Sequence, residues 1–298
     1  MQKAFFFLPD ISGFTSVITR SGHGHCLHLI GELLEQIIAA NRLALEVQEV
    51  EGDAVFFLRE GSPPTRAEIV AQAKAMFLSF HTHLRVIERD NVCQCGACRT
   101  ASNLTLKFIA HYGEMDRVNV AGHRTVSGAD VILVHLLMKN SIDEREYLLI
   151  TKPGVLEATA DDRDAAASWQ EGVEELEHFP PQAIEWLLLS PWLQDIPPVE
   201  DFPVFTPSGS EQQLHAHIRA PLLLVHALLT DPEKKKEFVP GLKESRSDLP
   251  INRVHSSHTC VFDDFEIHFV TRENRREGDA LVYKESAEAS FGFSSVFD

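Results

Sequence analysis

Lys3-Ala4-Phe5-Phe6-Phe7-Leu8-Pro9-Asp10-Ile11-Ser12-Gly13-Phe14-Thr15 begins as a nearly continuous apolar run and ends as a turn. Lys3–Leu8 has the pattern of a strand buried on both faces. Asp10–Thr15 predicts a strand-to-helix turn, and from His25 to Asn41 the apolar residues Leu27, Ile30, Leu33, Leu34, Ile37 and Ile38 recur at helical spacing. The next informative stretch is Glu49-Val50-Glu51-Gly52-Asp53-Ala54-Val55. It predicts two strands, Leu45–Val50 and Ala54–Leu58, joined by a tight turn at Glu51-Gly52-Asp53.

Further out, Thr65-Arg66-Ala67-Glu68 is a capping box that opens a helix running to about Glu88. Ile69, Val70, Ala73, Met76, Phe77, Phe80, Leu84 and Ile87 line one face of that helix. Strands follow at Leu104–His111 and Val118–Val120, a helix at Asp130–Lys139 and a strand at Tyr147–Thr151. The order β-α-β-β-α-β predicts an α+β domain of ferredoxin-like type, with helices on one side of its sheet. Gln182–Leu189 reads as a further helical piece.

Residues 195–211, with Pro197, Pro198, Pro203, Pro207 and Gly209, read as a linker between domains at 1–194 and 212–298. In the second domain Leu214–Arg219 predicts a strand, and Pro221–Leu229 a helix broken at Asp231-Pro232-Glu233. Strands are then expected at Ile251–Phe262, Phe265–Arg272, Ala280–Glu288 and Phe291–Phe297. No internal repeat relates the halves.

Composition narrows the function classes. With 298 residues and 44% hydrophobic content the chain can build two real cores. Its net charge of −17 argues against nucleic acid and anionic membranes as partners, since both require a basic footprint. No apolar stretch approaches the length of a membrane span, and the N-terminus lacks the features of a signal peptide. A cytoplasmic location is expected, and five cysteines, an odd number, fit a reducing compartment.

Two groups of residues carry chemistry. Asp10 at the end of a buried strand and Asp53 in a neighbouring turn are expected to meet at one end of adjacent strands. Paired carboxylates there can hold Mg or Mn together with phosphate oxygens. Gly13 allows close approach, and the amides of the turn that follows suit an anion. Read singly, each acid is equally well a helix cap or a turn residue. The second group is Cys93-Gln94-Cys95-Gly96-Ala97-Cys98, a loop able to wrap zinc, with His81 or His83 as the nearest fourth ligand and Cys26 and His111 as others. Three reduced thiols in a loop are the alternative. His23, His25 and His28 do not share one helix face and read as surface.

Phe7-Leu8-Pro9-Asp10-Ile11-Ser12-Gly13-Phe14-Thr15 resembles the first metal-binding motif of class III adenylyl and guanylyl cyclases, and Glu49–Val55 resembles their second. Lys107–Glu114, Gly128 with Val131, and Leu148–Thr151 resemble later strand and helix motifs of the same family. An uncharacterised bacterial subfamily with a C-x-C-x-x-C insert is more similar still. The resemblance implies metal binding by Asp10, Asp53 and the Ile11 carbonyl, phosphate binding by Gly13, Phe14 and Thr15, and base reading by Glu49 and Thr125. Those two markers disagree between guanine and adenine. It also implies a homodimer, because class III sites form between two subunits.

The family's last catalytic helix carries an Asn and an Arg where this chain has Ile132 and Leu136, and no lysine lies between Lys152 and Lys234. Such groups stabilise a phosphoryl-transfer transition state. The resemblance therefore implies a signalling or regulatory module that binds a nucleoside triphosphate without ordinary cyclase turnover. An active divergent cyclase, a phosphorus–oxygen lyase, is one alternative; a non-enzymatic ligand-binding or interaction protein is the other. In the second half, His217–Pro221, Leu229–Glu233 and Phe238–Leu242 resemble the opening of START-like, polyketide-cyclase-type helix-grip domains. That implies an apolar small molecule as a ligand, in a domain incomplete at its C-terminus.

Overall fold

The computed structural model describes residues 2–13, 23–90, 101–152, 169–199, 215–247, 254–292 and 294–297, without the side chains of 23–28, 123 and 296–297. The chain divides into two units, one of Met1–Leu84 with Thr100–Pro198 and one of Arg85–Arg99 with Val199–Asp298.

The first unit is built on β1 (Gln2–Ser12). Around it stand β2 (Glu46–Glu51), β3 (Ala54–Glu60), β4 (Thr105–Val120), β5 (His123–Ser127), β6 (Tyr147–Thr151), β7 (Trp169–Glu174) and β8 (Gln182–Leu188). Their order is β2-β3-β1-β4-β6-β8-β7, with β5 paired to β4. The order β2-β3-β1-β4 is the expected ferredoxin-like arrangement; β4 and β6 run parallel and the other neighbours antiparallel. The helices are α1 (His23–Ala39), α2 (Arg66–Arg89) and α3 (Ala129–Leu136).

The apolar run of β1 is continuous because both faces of the sheet are covered. Ala4, Phe6 and Leu8 pack with Phe56, Leu58 and the α3 residues Val131, Leu133 and Val134. Phe5, Phe7 and Ile11 alternate to the opposite face and are equally buried, with Phe7 stacked on Phe108 at 5.4 Å. Each buried Phe contributes roughly 1.5–3 kcal/mol.

The capping box forms as its sequence dictates: the Thr65 amide donates to Glu68 Oε2 at 2.7 Å and the Glu68 amide to Thr65 Oγ1 at 3.3 Å. Gln72 of α2 closes the end of α1, accepting from the Arg42 and Leu43 amides and donating to the Ala40 carbonyl.

Three local expectations give way to pairing. The first strand continues through Pro9 and Asp10 to Ser12, because each residue faces one on β4. Leu104–His111 and Val118–Val120 merge into the single 16-residue β4, and β5 pairs with its outer end. Gln182–Leu188 is a strand, not a helix: its apolar run is too short for periodicity to decide, and it supplies the antiparallel partner of the fully buried β6. Residues 215–219, expected as a strand, have no regular structure. Of the expected linker, Ser190–Asp195 is a 3-10 turn that includes its first residue, and 200–211 lie outside the described residues.

The second unit contains α4 (Leu222–Thr230) and α5 (Lys235–Phe238). Its strands are β9 (Glu244–Ser247), β10 (Ser257–Val261), β11 (Glu266–Glu277), β12 (Ala280–Ala289) and β13 (Ser294–Phe297). They form one antiparallel sheet in chain order. Among the described residues no helix is long and apolar enough to cross a membrane.

Candidate functional site

Asp10 lies on β1 opposite Ala54 of β3 and Lys107 of β4. Asp53 occupies the turn immediately before Ala54, behind Gly52 in the left-handed region at φ 68°. The Ile11 amide donates to the Asp53 carbonyl at 2.9 Å. A hydrogen-bonded ladder rather than a loop therefore seats these two acids side by side. Burial, reinforced by the negative charge of Asp10, pushes the Asp53 carboxyl above its ordinary value.

Sequence reading missed Lys107. Its ammonium sits 3.1 Å from Asp10 Oδ2 and donates to the Met138 carbonyl at 2.9 Å. The available signal was a lone cation between Leu106 and Phe108 in an apolar strand, and only the register shows what it faces.

The other expected residues are dispersed. Gly13 turns the chain at φ 95°, whereas Phe14 and Thr15 lie outside the described residues. Glu49 is exposed on the edge strand β2 opposite Phe56. Thr125 stands on β5 opposite Val118. Asp10 faces Lys107, eleven residues earlier on the same strand as Val118, which is on the order of 30 Å of extended chain. A single chain thus keeps Thr125 and the carboxylate pair at opposite ends of β4. Ile132 and Leu136 are exposed on α3, at 57% and 36%, and present no polar atom there.

The polar residues of α3, Asp130 and His135, are half-buried and engaged by neighbouring elements. Asp130 Oδ2 accepts the Glu114 amide at 2.5 Å, and its other oxygen lies 3.5 Å from His111 Nε2. A Cβ on Gly113 would overlap the Asp130 carboxylate, so this contact requires glycine. His111 Nδ1 meets Thr151 Oγ1 at 2.7 Å, and burial lowers the basicity of the imidazole. His135 lies 2.7 Å from the Val131 carbonyl through Nδ1 and 2.8 Å from Glu51 Oε1 through Nε2.

Cys93, Cys95 and Cys98 lie outside the described residues, as does the side chain of Cys26. His81 and His83 are engaged with carboxylates, at 2.8 Å from Glu146 and 3.0 Å from Glu32. Among the described residues no three His, Cys, Asp or Glu side chains are grouped to hold a metal ion.

The second unit holds a polar cluster that its sequence did not announce. Lys235 Nζ is 2.8 Å from His258 Nε2 and 3.1 Å from Glu285 Oε2, and Tyr283 donates to Glu285 Oε1 at 2.5 Å. The Lys235 and Glu285 side chains are 9% and 8% exposed. Burial first, then the charges of Lys235 and His268, push His258 down to about 3, so it is a neutral acceptor.

A family model described as a protein of unknown function (DUF2652) matches residues 30–147, which include Asp53 and Lys107 but not Asp10. The uncharacterized protein Rv2561/Rv2562 of Mycobacterium tuberculosis is 35% identical over 122 residues, 41% of this chain. That match spans 57% of the relative's length. Among solved structures, the chain is similar to the adenylyl cyclase CyaB from P. aeruginosa, with 17% identity, 63% of this chain, 94% of that one and a TM-score of 0.43. It is also similar to the guanylate cyclase domain of RhGC from Catenaria anguillulae in complex with GTP, with 14% identity, 62% of this chain, 96% of that one and a TM-score of 0.42.

Proposed function

We propose that the first unit binds a nucleoside triphosphate together with Mg or Mn through Asp10 and Asp53, and acts as a signalling or regulatory module. The observation that carries this reading is the seating of two carboxylates on adjacent strands by the Asp10–Ala54 register and the Ile11–Asp53 hydrogen bond. The donor set fits the group: two hard oxygen donors sit together, and burial first, then the charge of Asp10, raises the Asp53 carboxyl. Two protein carboxylates leave most of the coordination shell to phosphate oxygens and water, as Mg usually requires. A bound metal would polarise the phosphates and neutralise their charge. Lys107 neutralises part of the negative charge beside Asp10 and adds a cation towards the phosphates.

Ile132 and Leu136 supply neither a donor nor a charge, which favours binding over ordinary cyclisation. The separation of Thr125 from Asp10 along β4 favours a site completed by a second copy.

Calorimetric titration of ATP and of GTP with Mn²⁺ tests the proposal. Wild type is expected to bind one of them, and Asp10→Ala to lose that binding. Absence of binding in the wild type would sink the reading, and release of cyclic nucleotide would overturn its non-catalytic part.

A further inference from the structure

The turn that presents Asp53 hangs from an edge strand of its sheet. β2 is an edge strand, its side chains are mostly exposed, and its register with β3 slips between Val47 and Glu49. Val47 and Val50 point into solvent rather than into a core. Burial therefore does little to hold β2, and two side chains from other elements pin it instead. Arg117 of β4 grips its first residue, Glu46, at 2.7 Å, and also Glu60 at 2.6 Å. His135 of α3 grips its last residue, Glu51, which adjoins the Gly52-Asp53 turn.

The His135 contact is specific in its geometry. Both ring nitrogens face acceptors, the Val131 carbonyl at 2.7 Å and the Glu51 carboxylate at 2.8 Å. Either ring nitrogen therefore has an acceptor within hydrogen-bonding distance for the proton it carries. The ring edge also packs on Phe56 of β3, with centroids 4.9 Å apart. One side chain thus ties the helix, the neighbouring strand and the residue before the turn.

We propose that His135 is a positioning residue: by holding Glu51 it seats the Glu51-Gly52-Asp53 turn, and with it the Asp53 carboxylate, against Asp10. The functional weight of this seating rests on the proposed nucleotide site; the seating itself does not.

The Ile11 amide, bonded to the Asp53 carbonyl, reports the seating directly. Its hydrogen exchange is to be compared in the full-length wild type, His135→Ala, His135→Gln and Arg117→Ala. His135→Ala is expected to speed exchange at Ile11 about tenfold while amides of β6 keep their protection. Glutamine, whose amide can still donate to Glu51, should restore most of it. Arg117→Ala frees the far end of β2 and should leave Ile11 unchanged. Unchanged exchange in His135→Ala, or equal acceleration in Arg117→Ala, overturns the proposal. Titrating Mn²⁺ with ATP and with GTP into the same variants separates the two readings. Weaker binding in His135→Ala with rescue by glutamine supports both. No binding by wild type, with the exchange effect intact, removes the nucleotide site and leaves the seating standing.

Discussion

The two units each bring ionised groups together, and the two clusters are opposite in kind. Lys235 and Glu285 are of opposite sign, almost fully buried, and satisfied by Tyr283 and His258. Asp10 and Asp53 are of like sign and less enclosed, with Lys107 beside Asp10 as a compensating cation. A closed cluster that neutralises itself has nothing left to offer a ligand and serves to specify a fold. A pair left with excess negative charge is less stable alone than with a cation, and that deficit is what binding can recover.

The strongest way to break this contrast is to remove one partner of the closed cluster. Lys235→Met leaves Glu285 buried and unpaired, and should destabilise the second unit by about 3–5 kcal/mol. Adding Glu285→Gln should recover most of that loss, because the amide oxygen still accepts from Tyr283. Protection of β10–β12 amides against exchange measures both. A double variant as unstable as the single would place the energy elsewhere.

The pH dependence of the same cluster comes next. The folded pKa of His258, about 3, lies below the ordinary 6.5, so its contribution is complete above 6.5. As pH falls the unfolded chain takes up a proton that the folded unit refuses. Stability should drop by several kcal/mol between pH 6.5 and 3, at about 1.4 kcal/mol per pKa unit. Exchange of β10–β12 amides at stepped pH would show this, and His258→Gln should flatten the curve.

In the first unit the expected effects divide by readout. Asp10→Ala should weaken Mn²⁺–nucleotide binding by about a hundredfold, the upper range for losses at metal sites. Asp53→Asn should weaken binding similarly while raising the stability of the ligand-free protein, because it removes a carboxylate that burial and Asp10 both oppose. Thermal melts without metal test the latter, and a fall in melting temperature would show that the pair is not under repulsion. A loss of stability from Lys235→Met in the second unit and a gain from Asp53→Asn in the first would sharpen the distinction between a fold-specifying cluster and a ligand-seeking pair.

Much of this arrangement was legible locally. The β2–β3 turn, the Thr65–Glu68 box and the helices of the first unit depend on neighbours within a few residues, so periodicity and turn chemistry locate them. The candidate acids were legible because each interrupts or borders an apolar run, Asp10 within β1 and Asp53 in the turn before β3. Lys107 was not, because its meaning depends on a β4 residue facing a β1 residue 97 positions earlier. Neither was the Lys235–His258–Glu285 cluster, whose members come from a helix and two separate strands. Gln182–Leu188 was misread for a related reason: a short apolar run takes its conformation from the strand that needs a partner.

The sequence by itself determined that a two-faced apolar strand would lie at the centre of the first unit and that Asp53 would stand in the turn between two strands, whereas Asp10, expected at a strand end, lies within β1. Tertiary structure alone decided which charges they meet. Lys107 faces Asp10 through β-ladder register, and His135 reaches Glu51 because α3 packs over β1 and β3. The physical reason is one of range. Propensity and turn geometry act over a few residues, whereas the electrostatics of a site are set by distances between segments that only the packed core brings together.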